Sequence, residues 1–420
     1  MRDQLPLATH DLLAKAACLL FINGQSSENT GGCITRLGAA LGVKADLLLR
    51  WGEVVLFVEG HPAPIICKAK PTGVDMGRVN AVLDVIAEVE AGRMDIVKAD
   101  AALEAISRMP PVNVVRFATL AGAGASALGV IFGAHDPATI GIIFASAFFG
   151  ALLRRAVTHV SGNPLLQPFV AALLAGVVGA LAIQSGLGVD PRLVLVCPCM
   201  VLVPGPHVLN GTIDLARARL TIGSARLTFA GLLVLMICAG LLLGLTVADI
   251  DLPTTSSPVT VPWLYDVIAA GIAVAAYGTF FNMSWRMLPV PIIVGMTAHG
   301  AHWLLLDWGT SIASASLAAC FIVGVLISPL ADRLRHPFAA FAFSSVVSMV
   351  PGVFLFDAAA TLVELTAQGN SASPTLLVEG AVSGINALLI VLAMTVGLIV
   401  PKMVYASRQE SRAKQAGQHA

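Results

Sequence analysis

Residues 197–211 read CPCMVLVPGPHVLNG. Prolines at 198, 204 and 206 remove three backbone N–H donors, and glycines at 205 and 211 loosen the backbone. A regular helix cannot run through this stretch, although it lies within a long apolar run. Backbone groups without partners are costly in lipid, so the segment is predicted to face protein or a water-filled cavity within a membrane.

The composition around this segment is that of a membrane protein. Of the 420 residues, 57% are hydrophobic and 12% are charged, whereas soluble globular proteins carry about 25% charged residues. Residues 1–113 hold 11 Lys/Arg and 13 Asp/Glu, and the other 307 residues hold 14 and 12. Residues 1–113 are therefore predicted to form a soluble cytoplasmic domain. The formal net charge of zero gives no sign of a nucleic-acid partner.

The predicted front domain has mixed secondary structure. Hydrophobic periodicity indicates four helices and two buried strands, an α+β domain large enough to bury its own core. Charged residues interrupt the first apolar run, so no signal peptide is visible. The predicted helices are Asp11–Phe21, Cys33–Leu41, a third from Asp75 and Asp95–Arg108, and the strands are Val54–Val58 and Ile65–Cys67.

Ten apolar runs follow residue 113, most of them about 17–25 residues long, the length that crosses a membrane. With both termini placed inside, the inside loops and tail carry twelve Lys and Arg, among them Arg154 and Arg226, against Arg192 alone outside. This positive-inside bias supports ten spans. The predicted spans are 114–133, 138–153, 165–187, 191–209, 226–247, 264–283, 288–305, 310–330, 337–356 and 376–400.

The spans divide into two halves, 114–248 and 264–404, around an extracytoplasmic connector at 249–263, and a polar tail covers 405–420. Five spans per half would insert the halves in opposite orientations, an inverted repeat as in many transporters. A Pro-Gly pair occurs in the fourth span of each half, Pro204-Gly205 and Pro351-Gly352. The predicted fold is an all-α polytopic membrane protein of about ten transmembrane helices in two inverted five-helix halves, with a small α+β N-terminal soluble domain.

Residues Cys197–Leu215, with Pro-Gly-Pro-His followed by Asn-Gly-x-x-Asp, resemble the signature block of the threonine/serine exporter family. Lys70–Val79 and Val350–Gly352 extend the resemblance over nearly the whole chain. It implies a secondary exporter of threonine and serine in the inner membrane, driven by the proton motive force. Some relatives are associated with dicarboxylates, so a dicarboxylate exporter on the same scaffold stays open.

The candidate site residues lie at and beyond the two breaks. Intramembrane ionisable groups are functional candidates, but a kinked helix without a ligand and hydrogen-bonded structural histidines are the plain alternatives. The candidates for the substrate path are Pro204, Gly205, His207, Asn210, Asp214, Pro351, Gly352 and Asp357, and those for proton coupling are His207, Asp214, His299 and His302.

Charges elsewhere refine these predictions. Asp266, Asp307 and Glu379 lie at span ends and are predicted to be solvated. No Lys or Arg is predicted to lie near either break, which favours a zwitterionic substrate over a dicarboxylate. The expected partners are threonine, serine or a similar small molecule, protons and membrane lipids, and the oligomeric state stays open.

Other chemistry has little support in the sequence. The seven cysteines are scattered and predicted to be buried thiols, and Cys197-x-Cys199 lacks the companion ligands of a metal site. We therefore expect no metal, no cofactor and no catalytic residues. An enzyme or sensor that acts through residues 1–113 and uses the helices as an anchor is the alternative from another class.

Overall fold

The computed structural model describes residues 4–246, 261–334, 336 and 338–418. Residues 4–107, here called the front segment, contain four helices and a three-stranded antiparallel sheet in the order β1-β2-β3. Ala45 pairs with Val58, and Gly52 pairs with Ala69. The elements are α1 Gln4–Ile22, α2 Ser27–Ala40, β1 Ala45–Arg50, β2 Gly52–Val58, β3 Ile65–Ala69, α3 Met76–Glu90 and α4 Ile96–Ser107.

The four predicted helices and two predicted strands of the front segment are present, but the sequence reading missed β1. The prediction that both strands are buried was wrong for β3, because Ile66 is 62% exposed. Strand β3 lies at the edge of the sheet and alternates between half-buried and exposed positions. Only one of its faces therefore packs against the core.

Twelve further helices follow within the described residues. Eight of them are long and apolar enough to cross a membrane, and there are up to ten candidate spans if each of two bent pairs forms one span. The predicted number of ten is the upper end of this range. The predicted connector falls largely on 247–260, outside the described residues. The helices are α5 Val114–Ile131, α6 Pro137–Val160, α7 Leu166–Gln184, α8 Pro191–Met200, α9 Gly205–Ala216, α10 Leu220–Leu245, α11 Trp263–Phe280, α12 Pro289–Asp307, α13 Ile312–Leu334, α14 Phe338–Val346, α15 Gly352–Gln368 and α16 Pro374–Gln418.

Small residues allow the helices to approach closely. In α10, a Cβ added at Gly244 would lie 2.5 Å from the carbonyl oxygen of Leu173 in α7. Such contacts stabilise helix pairs in lipid, where the hydrophobic effect does not drive helices together. Helices α8, α9, α14 and α15, which carry the breaks, pack against these longer helices.

Candidate functional site

The two bent spans share one backbone geometry at their breaks. Helices α8 and α9 meet at 62°, and α14, extended by a 3-10 turn, meets α15 at 61°. At the first break, Gly205 N donates to Val203 O at 2.9 Å, and at the second, Gly352 N donates to Val350 O at 2.7 Å. The enclosed prolines have φ/ψ of −79°/56° and −75°/52°. Both breaks are thus inverse γ-turns, and the prediction that no regular helix runs through residues 197–211 is confirmed.

The breaks also lie against each other. A Cβ on Gly205 would lie 3.7 Å from Val350 Cγ2, and a Cβ on Gly352 would lie 3.6 Å from Val203 Cγ2. The valine of each Val-Pro-Gly turn therefore faces the glycine of the other. Predicted path residues Pro204, Gly205, Pro351 and Gly352 come together at this one place.

A side chain from the other half replaces a hydrogen bond lost at the first break. In a continuous helix, Met200 O would accept from the backbone N–H of residue 204, but proline has none. The hydroxyl of Tyr277, in α11, donates to Met200 O at 2.8 Å instead. Because that contact joins the two halves, the first break is held by a specific partner and not by lipid.

The polar residues of α9 face the front segment. The His207 ring packs edge-on to Phe229 at 5.1 Å, and Phe229 in turn lies 5.1 Å from Trp51. Asn210 Nδ2 donates to Gly24 O at 3.1 Å. The three predicted site residues of α9, His207, Asn210 and Asp214, are all buried. The front segment thus covers the polar face of α9.

Asp214 forms an ion pair that the sequence reading did not find. Its carboxylate lies 3.2 Å from Arg226, both side chains are at most 2% exposed, and Ser27 Oγ donates to it at 2.9 Å. The prediction that Arg226 lies in a loop was wrong, because α10 begins at Leu220 and carries the arginine inside. Burial of a charge requires a partner of opposite sign, which the aspartate supplies.

Asp357, beyond the second break, also has a cation beside it. Arg192 at the start of α8 lies 3.3 Å from its carboxylate, and both side chains are partly exposed. The statement that no Lys or Arg is near either break was therefore wrong in space, although it holds along the sequence. Helix packing thus brings Arg192, from the first half, beside Asp357, which is five residues after Gly352 in the second half.

A buried histidine–carboxylate cluster lies beside the second break. His299 Nε2 is 3.1 Å from Asp266 Oδ2, and its Nδ1 is 3.1 Å from the hydroxyl of Ser348, just before the break. The ring of His302 stacks on His299 at 5.7 Å and its Nε2 lies 3.3 Å from Ser316. The cluster thus brings one carboxylate, two imidazoles and two hydroxyl groups together beside the second break.

The prediction that Asp266 is solvated was wrong, since it is 3% exposed. The helical period could have found it: Asp266, Ala270, Ala273 and Tyr277 are all buried on one face of α11. The other two span-end carboxylates are exposed as predicted, and they are Asp307 and Glu379.

A narrow pocket lies against the first break. Two polar side chains line it, Ser146 and Arg154. The hydroxyl oxygen of Ser146 and the Nε of Arg154 are both buried without a hydrogen-bond partner among the described residues. The prediction that Arg154 lies in a loop was wrong, because α6 continues to Val160. The other lining residues are Ala121, Ala147, Gly150, Ala151, Ala171, Pro198, Val201, Leu202 and Phe280.

Within the described ranges, no group of three or more His, Cys, Asp or Glu side chains is placed to hold a metal ion. Cys197 and Cys199 are buried free thiols. The chemistry of the described site is therefore that of ion pairs, histidines and backbone carbonyls.

A family model described as "Putative threonine/serine exporter" matches residues 11–248, more than half of the chain. The chain belongs to the threonine/serine exporter family. A second model, "Threonine/Serine exporter, ThrE", matches residues 266–404, so the family covers both membrane halves and the resemblance predicted from the sequence is confirmed. Membership of this family identifies a multi-pass membrane protein of the transport class and points to a transporter rather than an enzyme.

Two relatives show how similar this chain is in sequence to known proteins. A threonine/serine exporter of Corynebacterium glutamicum is 22% identical over 384 residues, 86% of this chain and 77% of the relative. An uncharacterized protein of Haemophilus influenzae is 30% identical over 144 residues, 34% of this chain and 47% of the relative. No solved structure matches the chain.

Proposed function

We propose that this protein is a secondary exporter of threonine, serine or a chemically similar metabolite, driven by the proton motive force across the inner membrane. The observation that carries the proposal is the contact between the two Val-Pro-Gly breaks. Gly205 and Gly352 begin α9 and α15, and neither helix start has a side-chain cap. The N–H groups of Gly205, His207 and Gly352 already donate to carbonyls of their own turns. The partial positive charge at half-helix starts still attracts carboxylates, and unwound carbonyls attract ammonium groups.

The matched turns support an inverted repeat. Each half supplies one bent span with the same proline conformation and nearly the same bend. In inverted-repeat transporters, one half rocks against the other around a site near the midplane. The reciprocal valine–glycine contacts then lie at the surface along which the halves move.

The buried cluster at the second break is the proposed proton carrier. Asp266 and His299 come from α11 and α12, and Ser348 connects the cluster to the break itself. Protonation of the histidine would change its hydrogen bond with Ser348, which adjoins the moving segment. His207 and Asp214 are less suited to this role, because they lie away from the second break. His207 packs on Phe229, and Asp214 pairs with Arg226.

The front segment is proposed to close the cytoplasmic side. Met76 N donates to Phe281 O at 2.8 Å, Asn282 Nδ2 donates to Asp75 Oδ2 at 2.8 Å, and His336 lies 2.5 Å from Asn80. These partners all lie in loops that the charge count assigns to the inside, which supports cytoplasmic termini. In this arrangement, the path past α9 is shut from the cytoplasm.

Burial adds a second argument for a tight seal. The Asp75 carboxyl caps α3, and burial raises its pKa above the usual range despite the nearby Arg78. The Asp75 side chain is only 14% exposed, so its contact with Asn282 joins the front segment closely to the loop after α11.

Efflux from proteoliposomes tests the proposal. Vesicles that contain the purified protein and a panel of threonine, serine, other amino acids and dicarboxylates are given an imposed pH gradient. We expect threonine or serine to leave faster than from protein-free vesicles, and a protonophore to abolish the difference. Absence of any protein-dependent efflux would refute the export function, and efflux that is insensitive to the protonophore would refute the driving force.

Dicarboxylate export is the second candidate on the same scaffold. Arg154 beside the first break and Arg192 beside the second supply the cations that the sequence reading did not find there. Arg192 is already paired with Asp357, so one unpaired cation remains at this site among the described residues. One cation suits one carboxylate, which favours the amino acid, and the same vesicle panel decides between them.

A further inference from the structure

We propose that Arg154 and Ser146 form the subsite that binds the carboxylate of the transported metabolite. The inference rests on the proposed export function and assigns residues to one part of it. It starts from the pocket at the first break, which is lined by both side chains.

Arg154 differs from the other arginines near the breaks. Arg226 is paired with Asp214, and Arg192 with Asp357. The guanidinium of Arg154 lies 4.5 Å from the centre of the Phe280 ring, and its buried Nε has no hydrogen-bond partner among the described residues. A ring face compensates only part of the cost of burying a cation, so the site is suited to an added anion.

Ser146 supplies a second donor on the same helix face. It is 1% exposed, and its hydroxyl has no partner among the described residues. Two turns of α6 separate it from Arg154, roughly 12 Å along the axis. Helical side chains lean toward the N-terminus, the end of α6 at which Ser146 lies relative to Arg154, and both residues line the same pocket.

The residues between them are small. Ala147, Gly150 and Ala151 share this face of α6 with the two polar residues, and all line the pocket. The cavity beside these small side chains measures about 10 Å³, the space of one water molecule, so a carboxylate enters it only when the lining helices separate.

The opposite wall of the pocket is the first break. Leu202 lines it, and the helical partner of its carbonyl would be the N–H of residue 206, which is a proline without one. A carbonyl in this position suits an ammonium group. The pocket thus offers a cation and a hydroxyl for a carboxylate, and it adjoins a break in which carbonyls lack their helical partners.

The test compares threonine with threoninamide, which lacks the carboxylate charge. Equilibrium binding and efflux are measured on full-length protein in proteoliposomes, per inserted molecule. Arg154→Gln should raise the Kd and KM for threonine roughly 10- to 100-fold, the range for a lost charged hydrogen bond, and Ser146→Ala roughly 2- to 10-fold. Neither variant should weaken threoninamide further.

Arg155→Gln is the matched control. Arg155 is the next residue of α6, lies 4.4 Å from the Phe117 ring and donates to Val112 O, but it does not line the pocket. We expect its Kd and KM to equal those of the wild type. Arg154→Lys, which keeps the charge, should recover part of the threonine affinity.

The outcomes separate this inference from the proposed function. If the wild type moves none of the panel, the export function fails. If the wild type exports threonine and Arg154→Gln keeps the same KM and Kd, the subsite is wrong and export stands. If Arg154→Gln and Phe280→Leu both lower the amount of inserted protein with unchanged KM per molecule, Arg154 only packs on the ring and the inference is overturned.

Discussion

Replacing Gly205 by leucine tests whether the two breaks must move past each other during transport. An alanine Cβ at this position would lie 3.7 Å from Val350 Cγ2, an ordinary contact. The three further carbons of leucine would extend into the space that Val350 and the second turn occupy. Gly205→Ala should therefore be tolerated, and Gly205→Leu should not.

Overpacking a tight contact typically costs about 1–3 kcal/mol. If the cost falls on the step in which the halves shift, the rate falls roughly 5- to 150-fold, since about 1.4 kcal/mol is a factor of ten. The amount of inserted protein should change less, because γ-turn geometry at residues 203–205 needs no positive φ at the glycine.

The assay is initial efflux from proteoliposomes, divided by the number of inserted molecules. Gly231→Leu is the matched control, because Gly231 lies in the middle of α10 with nothing within 4 Å of an added Cβ. The reasoning is refuted if Gly205→Leu exports at the wild-type rate per molecule. It is also refuted if Gly231→Leu is impaired to the same degree.

Three further predictions concern the ion pairs and the topology. Asp214→Asn should lower stability by about 3–5 kcal/mol, because it leaves Arg226 buried without a charge partner. Asp357→Asn should cost less than about 1 kcal/mol, because its ion pair with Arg192 is partly exposed. Thermal inactivation of detergent-solubilised protein measures both losses, and equal losses would contradict the burial argument. His299→Gln should lower the efflux that an imposed pH gradient drives, because glutamine cannot carry a proton between Asp266 and Ser348, while His135→Gln, in the loop after α5, should leave this efflux unchanged. In a background without native cysteines, Ser161→Cys should be labelled only from the cytoplasmic side and Ser311→Cys only from the outer side, and labelling of both from one side would rule out the proposed topology.

The breaks could be predicted from the sequence because their cause is local. Pro-Gly at 204–205 and at 351–352 combines a lost helical hydrogen bond with a backbone that turns easily. Proline alone does not break the helix, since α13 and α16 continue past Pro329 and Pro401. Their contact with each other could not be predicted, because it depends on how α8, α9, α14 and α15 cross. The same limit applies to Tyr277, whose hydroxyl meets Met200 O from 77 positions away.

The errors in placing charged residues have one physical origin. Apolar windows stop at charges, so Arg154, Arg226 and Asp266 were assigned to loops or span ends. Helices continue beyond such windows when a buried charge has a partner or an aromatic ring beside it, as in α6 and α10. The partners of a buried charge depend on how the helices pack, so hydropathy along the sequence cannot reveal them.

The contacts of the front segment have a consequence for how the chain is made. Lys402 Nζ donates to Asn29 Oδ1, and 373 positions separate the two residues. At about 5–20 residues per second, the ribosome needs roughly 20–75 s to produce the second after the first. Residues 4–107 are thus finished long before Asn282, His336 and Lys402 exist to receive them. A nascent chain therefore carries an unsealed interface until α16 is inserted, and a chain truncated before that helix would expose the Glu28–Asn29 surface to the cell's proteases.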